Sequence, residues 1–210
     1  MNPFLRSRII IKQTVQKTKT ALLPDRFFTI DFVDQKYHQN IGEFTYGNPR
    51  IIDWSDGGTL KIGKFCSIAG GTTILLGGHH RYEWITTYPF PSRKDLWPEA
   101  KQINNQSWSK GDVIIGNDVL LGHESLIMSG VKIGDGAVIG TRSLVTHDVP
   151  PYAIVAGQPA KLIRYRFKKS VISKLLKVKW WNWPIEKIRE NIPLLCSNNV
   201  EAIIKKNESN

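Results

Sequence analysis

Nine aliphatic residues keep one six-residue phase: Ile62, Ile68 and Ile74, then, after an interruption, Ile115, Leu121, Ile127, Ile133, Ile139 and Val145. Gly63, Gly116, Gly122, Gly134 and Gly140 each follow one of them directly. Four residues beyond each member of the second run stands a small or β-branched residue: Val119, Ser125, Val131, Ala137, Ser143 and Val149. Six helical steps of about 100° do not return to one face. A hairpin strand would keep one side but has no need of glycine at this interval. A coil with three flat sides does. Each aliphatic side chain then points into a narrow interior, beneath its equivalent on the next turn, and glycine relieves crowding where the chain bends. About eighteen residues close one turn, and turns stack at about 4.8 Å. The spacing predicts an all-β-dominated chain built on a parallel β-helix. Taken alone, it suits an inert solenoid as well as an enzyme.

The phase is lost between about Gly78 and Asp112. This insertion, residues 79–111, holds Pro89, Pro91 and Pro98 together with Tyr82, Trp84, Tyr88, Phe90, Trp97 and Trp108. A long loop inside a compact array is usually functional. Its aromatic content implies order against a neighbouring subunit, a substrate or both. Trp84 and Tyr88 are therefore candidates for a pocket wall, with a purely stabilising arm as the alternative.

Beyond the last repeat, Ala156, Gly157, Gln158 and Pro159 form a turn of mostly small residues that should leave backbone amides accessible, and Lys161, Arg164 and Arg166 follow at once. Accessible N–H groups beside fixed cations suit a phosphorylated ligand. Val171, Ile172, Leu175, Leu176 and Val178 mark a helical stripe. Pro184 suits the first turn of a second helix through Ile185, Ile188 and Ile192, ending at Pro193. Two such helices would cover the open coil. The expected organisation is a basic lead-in over 1–40, a β-helix over 41–160 containing the insertion, and a basic helical segment over 161–210.

The formal charge of +11 is concentrated at the two ends. Residues 1–26 set six Lys/Arg against Asp25, and residues 161–189 set ten against Glu186, so the rest of the chain is slightly acidic. A nucleic-acid partner is disfavoured, because the cations flank a regular solenoid and no recognised nucleic-acid motif is present. The N-terminal charge leaves association with an anionic membrane surface open. No run of eighteen apolar residues offers a transmembrane span. Cys66 and Cys196 are too few for a disulfide framework or a four-cysteine zinc site, and a reducing cytoplasm is the expected compartment.

Five histidines could supply a base near neutral pH: His38, His79, His80, His123 and His147. His147 sits at a corner before Asp148 and reads as exposed. His38 reads as a loop residue, and His123 as an outer surface residue of a regular turn. His79 and His80 stand where the coil ends and the insertion begins, so the coil can hold them facing a cleft. Position favours this pair without choosing between its members. Adjacent residues on an extended chain point to opposite sides, so the two cannot readily share a metal ion, and no metal is expected.

Several elements together resemble a known family. They are the 60–68 stretch with Ile62-Gly63 and Cys66; Gly77-Gly78-His79-His80-Arg81; Thr86-Thr87-Tyr88-Pro89-Phe90; Ile115-Gly116-Asn117-Asp118-Val119; the 154–161 stretch with Gly157, Pro159 and Lys161; and Trp180-Trp181-Asn182-Trp183. This set is similar to the hexapeptide xenobiotic acetyltransferases, which include B-type chloramphenicol and streptogramin (virginiamycin) acetyltransferases and related O-acetyltransferases of surface-polysaccharide clusters. The likeness spans about residues 40–200. It implies a left-handed parallel β-helix, a homotrimer with active sites between subunits, and acetyl-CoA as co-substrate. It implies His80, immediately before Arg81, as the catalytic base, oriented by Glu83 or by a main-chain carbonyl. It further implies that Gly122, Gly140, Thr141, Ala156 and Gly157 line the pantetheine path, with Lys161, joined by Arg164, near the phosphates of CoA.

Two positions depart from the family pattern. Leu120 stands where a tryptophan is common, near the acceptor, and Ser129 replaces a frequent proline. The 46–54 segment, with Tyr46 and Trp54, looks more like the polysaccharide-associated members. Tyr46, Trp84, Tyr88 and Leu120 are thus the expected acceptor contacts. A hydroxyl of a sugar or surface glycan is the expected acceptor, with an antibiotic hydroxyl as the alternative. Sugar N-acetylation and a non-catalytic assembly role are further alternatives.

Overall fold

A computed structural model describes residues 27–104 and 107–208. The basic segment over 1–26 lies outside the described residues. All nine in-phase aliphatic side chains are buried, none more than 3 % exposed. They stack into one core with Val113, Val119, Val131, Ala137, Val149 and Val155.

The coil is made of three short-stranded sheets. The first holds β2 (Leu60–Ile62), β7 (Val113–Ile115) and β10 (Lys132–Ile133). The second holds β3 (Ser67–Ile68), β8 (Leu120–Leu121), β11 (Val138–Ile139), β13 (Ala153–Ala156) and β14 (Lys161–Tyr165). The third holds β1 (Arg50–Ile52), β4 (Thr73–Leu75), β9 (Leu126–Ile127) and β12 (Leu144–Val145). Every pairing within them is parallel except β13 with β14. Registers such as Ile114 with Lys132, Leu120 with Val138 and Leu126 with Leu144 repeat the eighteen-residue turn. Across the insertion, Leu60 pairs with Val113, so the excursion leaves the stacking intact.

Glycine serves the contact between turns. A Cβ on Gly63 would lie 2.5 Å from the carbonyl oxygen of Gly116 on the next turn. Cys66 occupies an equivalent of the Val119 position. Burial pushes its thiol up to about 12, and it is packed as a small apolar residue.

Before the first regular turn, a 3₁₀ helix, Gln35–Asn40, brings buried Tyr37 against the coil core. His38 therefore lies on a helical turn rather than in a loop, with its Nε2 3.3 Å from the Val33 carbonyl.

The helices α1 (Lys169–Val178), α2 (Ile185–Leu195) and α3 (Val200–Glu208) follow the coil. They meet its last turn at Tyr152 and extend past it to earlier turns. They flank one corner, where Phe44, Phe65, Asp118, Gly136 and Tyr152 stand on successive turns with positive φ. Trp180 meets Phe65 there at 4.8 Å between ring centroids, and Tyr152 joins Leu175, Val178, Ile203 and Ile204 in a second core. Helix α2 also does not stop at Pro193. It runs two residues further, because a proline in the last turn forfeits one backbone bond while Cys196 N–H still reaches Ile192. Among the described residues no helix is long and apolar enough to cross a membrane.

Candidate active site

The chain leaves the coil at Gly78, whose φ is +81°; a Cβ there would also strike the Trp54 ring at 2.6 Å. The next two residues form β5 (His79–His80), which pairs antiparallel with β6 (Ser107–Trp108), placing His79 opposite Trp108 and His80 opposite Ser107. The described part of the excursion, residues 81–104, thus springs from a two-residue ladder at the junction of the third and first sheets.

The two histidines face different surroundings. His79 is half-buried beside Trp108, with ring centroids 5.2 Å apart, and its Nε2 lies 2.9 Å from the Ser129 hydroxyl. Burial, reinforced by the positive charge of Lys110 and opposed by Asp56, lowers its pKa and favours the neutral ring. His80 is exposed, and its Nδ1 lies 2.9 Å from the Thr87 carbonyl. A carbonyl only accepts, so Nδ1 carries the proton of the neutral ring and Nε2 presents a lone pair. Glu83, the other candidate to orient His80, faces the Arg81 guanidinium at 3.4 Å.

The insertion packs on itself. Tyr88, one residue after Thr87, meets Phe90 at 4.7 Å and Trp97 at 6.4 Å. Trp84 is half-buried, and its backbone N–H donates to the Arg81 carbonyl. Tyr46 and Leu120 lie elsewhere, on the outer ladder of the second sheet, where Tyr46 pairs with Ser67, Ser67 with Leu120 and Leu120 with Val138. Tyr46 is stacked on Phe27 at 5.3 Å. Arg164 ends the same ladder opposite Ile154.

The residues expected to hold CoA share one edge, at the junction of the second and third sheets. Gly122 N–H donates to Ile139 O at 2.9 Å and Gly140 N–H to Val155 O at 2.8 Å, so Gly122, Gly140 and Ala156 stand on successive turns. Thr141 and Gly157 are exposed beside them. In the 156–159 turn, where accessible amides are expected, Gly157 N–H donates to Ser143 Oγ at 3.3 Å; the amides of Gly122 and Gly140 bond between turns. What Gly157 offers instead is room, since a Cβ there would meet only Pro159 O at 3.5 Å. Lys161 and Arg164 are exposed at this end. Room beside two cations fits a phosphorylated carrier. Within one chain, the His80 corner and this corner bound the two ends of the third sheet and do not meet.

His123 is exposed, its Nε2 3.4 Å from Glu124, whose other oxygen holds Arg142 at 2.6 Å. His147 is exposed at its corner. Among the described residues no group of three or more His, Cys, Asp or Glu is placed to hold a metal. Of the two candidates to orient His80, the main-chain carbonyl is the one found, at Thr87. Sequence reasoning missed Ser129 as a partner of His79, and Asp56, which accepts from Gly78 N–H and from the Ser107 hydroxyl, both at 2.7 Å. These contacts join residues far apart in the chain, and only the presence of Ser129 in place of a proline hinted at one.

A parallel coil on a six-residue period, carrying an outward histidine on an excursion from it, is the architecture of hexapeptide-repeat transferases. The family described as bacterial transferase hexapeptide (six repeats) matches residues 112–147. The chain is 50 % identical over 148 residues to a chloramphenicol acetyltransferase of Agrobacterium fabrum (strain C58 / ATCC 33970), covering 70 % of each. It is 42 % identical over 151 residues to a virginiamycin A acetyltransferase of Staphylococcus aureus, covering 71 % of this chain and 68 % of that one. A solved structure of a galactoside acetyltransferase in complex with coenzyme A is 30 % identical, with a TM-score of 0.42; the match covers 61 % of this chain and 60 % of that one. The chain belongs to the hexapeptide-repeat xenobiotic acetyltransferases and is an acetyl-CoA-dependent acetyltransferase.

Proposed function

We propose that the protein transfers acetyl from acetyl-CoA to a hydroxyl of an antibiotic-like small molecule, with His80 as the base. The observation that carries the reading is the Nδ1 contact of His80 with Thr87 O, which leaves Nε2 free on an exposed edge. His80 Nε2 accepts the acceptor's hydroxyl proton as that oxygen bonds to the thioester carbonyl carbon. When the tetrahedral adduct collapses, the C–S bond breaks and His80 returns the proton to the departing sulfur. Such assistance is worth about 10²–10⁴-fold, with orientation in the cleft supplying much of the rest.

The choice of acceptor follows relatives named for chloramphenicol and virginiamycin rather than the glycan reading drawn from Leu120 and the 46–54 segment. Lys161 and Arg164 would hold the CoA phosphates, and Gly122, Gly140, Thr141, Ala156 and Gly157 would form its path. Tyr46, Trp84, Tyr88 and Leu120 would border the acceptor. Because His80, Trp84 and Tyr88 sit at one corner of the chain and the CoA residues at another, with Tyr46 and Leu120 on the second sheet beside the CoA residues, a complete site needs a second copy. This supports an assembly with sites between subunits, which we propose to be a left-handed β-helix homotrimer, checked by light scattering on the purified protein. The outer side chains of the third sheet, Leu75, Leu126 and Leu144, give apolar surface for such an assembly.

The deciding assay follows thiol release from acetyl-CoA with chloramphenicol, a group A streptogramin and nucleotide-linked sugars in turn. Turnover of either antibiotic is expected. Turnover of the sugars alone restores the glycan acceptor.

A further inference from the structure

Asp56 touches both strands of the ladder that carries His80. Its Oδ2 accepts from the Gly78 N–H at 2.7 Å, one residue before β5. Its Oδ1 accepts from the hydroxyl of Ser107, the residue paired with His80 in β6, also at 2.7 Å. A Cβ on Gly77 would come within 2.9 Å of Oδ2, so the carboxylate is packed against the exit turn itself. A ladder of two residues per strand is too short to hold its own geometry in water. Asp56, from the loop after β1, joins the exit of the excursion to its return. On the other side, His79 Nε2 meets Ser129 Oγ, so the ladder is gripped from two directions.

We propose that Asp56 is a positioning residue for acetyl transfer: its two hydrogen bonds fix the β5–β6 ladder so that His80 keeps its Thr87 contact and its Nε2 stays aimed at the acceptor. Both its oxygens are occupied by the ladder, and it takes no part in proton transfer. The proposal rests on the reading of His80 as the base. Displacement of a reacting group by about 1 Å costs on the order of 10²-fold, which sets the scale of the effect.

The test combines Asp56→Ala, Asp56→Asn, Ser107→Ala and His80→Ala, with the double variant Asp56→Ala/His80→Ala, assayed with acetyl-CoA and chloramphenicol. Asp56→Ala is expected to lower kcat about 10- to 100-fold with KM for acetyl-CoA within about threefold of wild type. Asp56→Asn, whose amide oxygen still accepts from Gly78 N–H, should recover most of that loss. Ser107→Ala, which removes one bond of the two, should fall between and keeps the test open if Asp56→Ala does not fold. In the His80→Ala background, Asp56→Ala should change nothing further. Imidazole ¹⁵N spectra give a reading independent of turnover: His80 is Nδ1-protonated in the wild type, and a tautomer mixture is expected in Asp56→Ala. An unchanged kcat and tautomer in Asp56→Ala, or an equal loss in the His80→Ala background, overturns the proposal. Full activity of His80→Ala instead removes the reading of the base, while the tautomer spectra still report whether Asp56 positions the ring.

Discussion

His80 Nδ1 lies 2.9 Å from the main-chain oxygen of Thr87, seven residues along the same excursion. One hydrogen bond thus fixes the tautomer and the direction of Nε2, and it comes from the loop whose Tyr88, Phe90 and Trp97 pack on one another. Because the acceptor is a backbone carbonyl, no side-chain substitution at Thr87 removes it. His80→Ala should reduce kcat by about 10²–10⁴-fold while acetyl-CoA binding, measured by calorimetry, persists. His123→Ala should retain near wild-type turnover. His79→Ala should lose stability first, since it vacates the contact with buried Ser129. If His123→Ala or His79→Ala abolishes turnover and His80→Ala does not, the base is misassigned.

Asp53 gives a second prediction, in pH. It ties the Gln35–Asn40 helix to the coil by accepting from Lys36 Nζ at 2.7 Å and from the Tyr37 hydroxyl at 2.8 Å, and its other oxygen accepts from Ser55 N–H. The hydrogen bond from Lys36, then those from Ser55 and Tyr37, bring its pKa down to about 2. A depressed carboxylate stabilises the fold above its unfolded value, near 3.8, and loses that contribution as pH falls toward 2. Melting temperatures of wild type and Asp53→Asn should differ at pH 7, begin to converge below about pH 4, and coincide only below about pH 2. A constant gap across that range would contradict the linkage.

The stacking of turns is testable at Gly63. Alanine there places a methyl 2.5 Å from the Gly116 carbonyl oxygen, an atom of rigid backbone. Separating two turns of the coil to admit it should cost about 1–3 kcal/mol, read as a lowered denaturation midpoint in urea. Gly57→Ala is the control for space, because nothing lies near a Cβ there. Its φ of +99° still adds backbone strain, so a loss at Gly63 well beyond that at Gly57 is the expected result.

How much of this was legible in the sequence follows from the range of each contact. The six-residue phase reports a contact repeated on every turn, so the core residues from Ile62 to Val145 could be read directly. The residues that build the ladder could not. Asp56 reaches Ser107 across fifty-one positions, and His79 reaches Ser129 across fifty, each contact made once. A single long-range hydrogen bond leaves no period to detect. The helices were visible from their apolar stripes, but their place was not. They lie along a corner because Phe65 and Tyr152, at corner positions with positive φ, project aromatic rings outward from different turns. The six-residue phase marks only inward side chains, so it carries no record of that corner.

The basic residues after the coil supply the last prediction. Lys161 and Arg164 are exposed on β14, next to the open space at Gly157. If they hold the phosphates of CoA, their interaction is present in both ground and transition states, so its loss should raise KM and leave kcat nearly unchanged. Lys161→Ala should raise KM for acetyl-CoA about tenfold, the equivalent of about 1.4 kcal/mol, and Lys161→Ala/Arg164→Ala further. An exposed charge contact is screened by salt, so the wild-type KM should rise with ionic strength and that of the double variant should rise less. A short thioester lacking the nucleotide, such as acetyl-pantetheine, should be used equally by wild type and both variants. Equal losses with acetyl-pantetheine would place these cations elsewhere than at the phosphates.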